Sequence, residues 1–115
     1  MPALHQQPLQ PCDSQSIALS IDEVHQLLQQ ISGWRNENLQ GVEQLIKSFK
    51  FKNFSEALAF ANKIAELAES VNHHPCICVE WGKATINWWT HSVSGLFIND
   101  FILAAKCDEV YSDLI

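Results

Sequence analysis

Eleven consecutive residues, VNHHPCICVEW from Val71 to Trp81, hold two histidines, a proline, two cysteines, a glutamate and a tryptophan. Two chemistries use such side chains. Histidine and cysteine bind zinc, and histidine, whose unperturbed pKa lies near neutral, both gives and takes protons. The spacing speaks against zinc. Structural zinc sites leave two or more residues between paired ligands and set the second pair much farther along the chain. Here His73, His74, Cys76 and Cys78 are compressed into six residues, with Pro75 stiffening the link. Cys76 and Cys78 would share one side of a strand, and they are expected to pack as small core residues. No metal site is expected.

The acid/base reading draws on residues outside the stretch. His73 and His74 fall at the C-terminal end of a long helical pattern, where the helix dipole favours a protonated imidazole. His91 lies at the end of the last expected strand, and a hairpin would return it beside the first pair. Asp100 follows nine residues later, near the start of the next helix, where it could orient an imidazole. A lone histidine is usually a surface or satisfied core residue, so the reading depends on these elements converging. His5, in the N-terminal stretch, and His25, off the apolar stripe of its helix, read as ordinary histidines.

The elements that must position these groups are legible. Residues 1–19 read as a flexible polar tail rich in Gln and Pro, and the domain is expected over 20–115. Ser20 and Glu23 form a capping-box pattern. Ile21, Val24, Leu27, Leu28 and Ile31 share one helical face, and Gly33 supplies a stop. Two short strands around a turn near Gly41 follow, ending in the Phe49–Lys50–Phe51–Lys52 alternation. Asn53 caps a second helix with Glu56 at its third position. Its wide apolar stripe runs from Phe54 to Val71, and Pro75 is expected to close it. CICVEWGKATINWWTH reads as a hairpin turning near Gly82 and Lys83, and a last helix spans about Ile98 to Tyr111. A leading helix and then strand–strand–helix twice predicts an α+β fold, a two-layer arrangement of four antiparallel strands with helices packed on one face.

A chain of 115 residues with a formal net charge of −6 fits one acidic domain and disfavours direct nucleic-acid binding, which needs clustered Lys and Arg. Of the seven basic residues only Lys47, Lys50 and Lys52 group together, in an amphipathic strand pattern. No apolar run is long enough to span a membrane, and the N-terminus lacks a secretory pattern. The four cysteines, Cys12, Cys76, Cys78 and Cys107, are expected as reduced thiols of a cytoplasmic protein.

One long-range pattern is more specific than any of these features. Glu69, then SVN, His73-His74-Pro75, CICVE, Trp81, GKATINWWT, His91, SVSGLFIN and Asp100 closely resemble the pterin-4a-carbinolamine dehydratase family, as do SGW and the run of Phe49, Phe51 and Phe54. The resemblance covers residues 20 to 112. It departs at Phe97 and Ile98, where a Ser or Thr usually caps the last helix, and at Asn99, where some members carry a basic residue. The resemblance implies dehydration of a 4a-hydroxy-tetrahydropterin to a quinonoid dihydropterin in tetrahydrobiopterin recycling, with no metal or organic cofactor. It assigns His74 and His91 as acid and base in undecided order. His73 polarises the pterin, Asp100 orients an imidazole or contacts the ring, and Glu69 supports the pair. Pro75, Thr90, Ser92 and Val93 would shape the substrate pocket, and Trp81 would pack beneath it. The resemblance also implies a homo-oligomer, dimer or tetramer, and a possible regulatory protein partner. The competing reading is a non-catalytic protein-interaction or transcriptional-cofactor module on the same fold.

Overall fold

The computed structural model describes residues 3–13 and 15–115. Ser20 opens the first helix, α1 (Ile21–Leu28), by the reciprocal bonds its S-x-x-E pattern predicts. Its Oγ accepts from the Glu23 N–H at 3.2 Å, and its own N–H donates to Glu23 Oε1 at 2.9 Å. The helix stops short of Gly33. From Gln29 to Ile31 the N–H groups reach carbonyls three residues back, a tightening that ends the α-helix but still buries Ile31.

Strands β1 (Arg35–Leu39) and β2 (Val42–Lys50) follow, joined by Gln40 and Gly41. Both linking residues have positive φ, 55° and 86°, as a two-residue hairpin turn requires. Asn53 then caps α2 (Phe54–Val71), its Oδ1 accepting from the Glu56 N–H at 2.8 Å. Strands β3 (Cys76–Glu80) and β4 (Lys83–Trp88) form the second hairpin, and α3 (Ile98–Leu114) completes the chain. The four strands are all antiparallel in the order β1-β2-β4-β3. The α+β expectation therefore holds, and the boundaries of the two hairpins agree with their turn signals.

Strand parity decides what is buried. Leu45 and Phe49 of β2 lie across from Trp88 and Ala84 of β4, and Ile77 of β3 lies across from Ile86. This face carries α2 and α3 and holds the core. Cys76 and Cys78 do share one side of β3, but it is the other side. They pair with Asn87 and Thr85 and are exposed, so they are not core residues. Trp81 is also corrected. It sits at the β3–β4 turn with 74 % of its surface exposed, so it does not pack beneath the site.

Side-chain ties fasten α3 to the sheet, among them a bond from the Trp88 indole N–H of β4 to Cys107 Sγ at 3.3 Å. Lys47 of β2 pairs with Asp108 at 2.8 Å, and Asp108 also accepts from the Trp34 indole N–H. Tyr111 donates to the Lys50 carbonyl at 2.8 Å. The N-terminal stretch lies against the domain. A 3-10 turn over Leu4–Gln6 packs on α3, Leu4 is buried, and Lys106 donates to the His5 carbonyl. Leu4 has few apolar neighbours in sequence, so it gives no periodic signal. Met1, Pro2 and Ser14, which the tail expectation also included, lie outside the described residues.

Candidate active site

The end of α2 places the two adjacent histidines. Asn72 adopts the left-handed conformation (φ 51°), which Asn tolerates better than other residues with a side chain. Its N–H reaches the Glu69 carbonyl, and the His73 N–H reaches that of Ala68. This pair of bonds is a Schellman stop. The helix thus ends at Val71, four residues before Pro75, which does not close it. Pro75 instead biases His74 away from helical geometry as the chain enters β3.

His73 turns inward and His74 outward. The His73 Nε2 lies 2.9 Å from Asp100 Oδ1 and 3.1 Å from the Trp89 carbonyl. Both partners only accept, so this nitrogen carries a proton and Nδ1 is left to exchange one. Burial of the ring opposes its charge. The bond to Asp100, the Asp100 charge and the Trp89 carbonyl outweigh that effect and raise the His73 pKa above its ordinary value. His74 is more exposed, and its Nε2 bonds to Glu69 on the last turns of α2.

Asp100 is fully buried on the first turn of α3, where the helix dipole favours a carboxylate. Besides His73 it has two donors on Oδ2, the Thr90 hydroxyl at 2.7 Å and the Phe97 N–H at 2.9 Å. The second bond caps the helix. Phe97, which has no side chain suited to the task, stands at the N-cap, and Asp100 binds its backbone from the third helical position. Phe97 and Ile98 are both half-buried.

The segment after β4 brings the third histidine. Thr90 and Gly95 exchange backbone bonds, closing a loop whose 3-10 turn spans His91–Val93. The His91 ring packs against that of Trp89, with centroids 4.9 Å apart and planes tilted by 45°. His73, His74, His91, Thr90 and Ser92 all line one cavity of about 480 Å³, a size usual for small-molecule sites. Asp100 lies beneath it, bonded to both His73 and Thr90. Glu69 reaches the cavity only through His74, and Pro75 and Val93 are not among its lining residues. Sequence reasoning missed Leu9, Gln10, Cys12, Val71 and Asn72, which also line it, and noticed Asn99 only as a departure. An Asn at the end of the helical stripe, just before His-His-Pro, was a readable signal for Asn72; nothing local marked Leu9, Gln10 or Cys12.

The site offers positioned proton donors and acceptors around a pocket. Among the described residues no group of three or more His, Cys, Asp or Glu side chains is arranged to hold a metal ion. No helix among them is long and apolar enough to cross a membrane.

Comparison with known proteins shows the family of the chain. Residues 17–110 match the model of the family described as pterin 4 alpha carbinolamine dehydratase. A protein of Saccharophagus degradans provisionally named pterin-4-alpha-carbinolamine dehydratase is 46% identical over 111 residues, covering 96% of this chain and 98% of the relative. A like-named protein of Vibrio cholerae is 52% identical over 97 residues, covering 84% and 89%. The crystal structure of a transcriptional coactivator/pterin dehydratase from Brucella melitensis superposes with a TM-score of 0.72 at 31% identity, covering 81% of this chain and 97% of that one. A pterin dehydratase-like protein identified as a RuBisCO assembly factor in the alpha-carboxysome shares the fold at TM-score 0.58 and 22% identity, covering 69% and 89%. The chain belongs to the pterin-4a-carbinolamine dehydratase family. The family match begins at residue 17, so Leu9, Gln10 and Cys12 lie ahead of it.

Proposed function

We propose that this chain dehydrates a 4a-hydroxy-tetrahydropterin to the quinonoid dihydropterin and water, as a step of tetrahydrobiopterin recycling in the cytoplasm. The observation that carries the reading is the convergence of His73, His74 and His91 on one cavity, with a carboxylate behind each of the first two. The reaction needs one proton given and one taken. The leaving C4a hydroxyl takes a proton and departs as water. The N5–H gives up its proton, and the electron pair left behind forms the new double bond to C4a. His74 and His91 are the acid and base. His73, held by Asp100, polarises the pterin, and Thr90 and Ser92 shape its pocket. Histidine donors and acceptors suffice for this chemistry, each contributing about 10²- to 10⁴-fold.

Stopped-flow decay of the carbinolamine tests the reading. His74→Ala and His91→Ala are each expected to slow the enzyme-dependent phase by about 10²-fold or more. If both variants run at the wild-type rate, the assignment is wrong.

A second reading, a protein-interaction module that pairs with a regulatory partner, is favoured by the exposed Phe54 and Leu58 along α2. It also shares its fold with an assembly factor. The same assay on purified chain, with no partner added, separates the two. Turnover supports the enzyme, and well-folded protein without turnover supports the module.

A further inference from the structure

The cavity has a wall that the proposed reaction does not use. Leu9, Gln10 and Cys12 line it beside His73, His91 and Ser92. This stretch is neither helix nor strand, so its backbone groups must find partners elsewhere. Asn99 supplies those of Gln10. The Gln10 N–H donates to Asn99 Oδ1 at 2.6 Å, and Asn99 Nδ2 donates to the Gln10 carbonyl at 2.8 Å. A side-chain amide has one acceptor and one donor end, and here both ends satisfy a single residue, as a neighbouring strand would. Asn99 is itself buried, with 4 % of its surface exposed, and it immediately precedes Asp100. One turn of helix therefore holds both the carboxylate under His73 and the clamp on the outer wall. Further along, Cys12 Sγ lies 3.3 Å from Ser92 Oγ. Pro8 and Pro11 bracket the clamped residue, and each fixes its own φ, lowering the entropy lost when the segment docks.

We propose that residues 8–12 are a substrate-positioning strap. Asn99 holds Gln10 so that Leu9 and Cys12 stand as the wall of the pocket against which the substrate lies, and Asn99 is a positioning residue. The wall offers an apolar surface from Leu9 and a polar edge from the Cys12–Ser92 pair. That combination suits a flat heteroaromatic ring with polar atoms on its rim. The inference rests on the pterin reading of the same cavity.

Cys12 makes the strap testable in the unaltered protein. The chain is alkylated with N-ethylmaleimide with and without 7,8-dihydrobiopterin, and each cysteine is followed by peptide mass spectrometry. Binding is measured separately from the ligand's fluorescence. Cys76 and Cys78, exposed on the sheet face away from the helices, are internal references. At ligand about one hundred times its Kd, labelling of Cys12 is expected to slow by more than about tenfold while Cys76 and Cys78 are unaffected. Equal labelling of Cys12 with ligand bound overturns the strap and leaves the dehydratase reading standing. Absence of any binding overturns both. In Asn99→Ala, Cys12 of the free protein is expected to label about tenfold faster, and KM to rise by more than kcat falls. A proportional fall in kcat with KM unchanged would count against a positioning role.

Discussion

Asp100 carries more of the site than any histidine does. One buried carboxylate orients His73, holds the Thr90 hydroxyl and caps α3. An Asn in its place would present an NH₂ group where a donor already points. Breaking a buried charged pair costs about 3 kcal/mol or more, so Asp100→Asn is expected to lower the chemical-denaturation stability by about that amount. The same pair predicts a pH dependence. The folded chain holds the His73 proton more tightly than the unfolded chain, whose histidine titrates near 6.5. The resulting stabilisation is complete below that value and is lost as pH rises through the raised folded pKa. Urea midpoints measured across this window should fall with rising pH in the wild type, and Asp100→Asn should flatten the slope. An NMR titration that finds the same His73 pKa in both proteins would refute the account.

At the level of the element, the stop of α2 matters more than its length. Asn72 takes the left-handed conformation so that the next two residues leave the helix in opposite directions, His73 towards Asp100 and His74 towards Glu69. Glycine adopts this backbone freely, and a β-branched residue resists it at a cost of about 1–2 kcal/mol. Asn72→Gly is therefore expected to melt close to the wild type, and Asn72→Val to melt several degrees lower, with a larger loss of activity than of stability. Equal melting temperatures for the two variants would show that the turn is not what sets the histidines.

At the level of the whole molecule, α2 presents Phe54 and Leu58 one helical turn apart, 46 % and 42 % exposed. Large apolar side chains grouped on an exposed helix face usually mark a contact surface. The chain is expected to sediment as an oligomer. Leu58→Lys should shift it towards the monomer while the far-ultraviolet circular dichroism is unchanged. A monomeric wild type at micromolar concentration would remove this face from consideration.

The sequence by itself determined the features that depend on residues a few positions apart. Ser20 with Glu23 and Asn53 with Glu56 set the helix starts, and Gly41 and Gly82 mark the hairpin turns. Alternation within the strands put Cys76 and Cys78 on a common side. Which side that was could not be read, because parity groups residues without saying where the helices will pack. The docking of the N-terminal stretch was hidden for a related reason. Its anchors are one buried leucine and polar bonds such as Gln10 to Asn99, which spans 89 positions. Spacing and family resemblance pointed to His73, His74, His91 and Asp100. Only the tertiary structure could bring Asp100 to His73 across 27 positions and close the cavity with a segment outside the recognised pattern. Backbone caps and turns are decided within a few residues, whereas a buried carboxylate acquires its partners only when separate elements pack together.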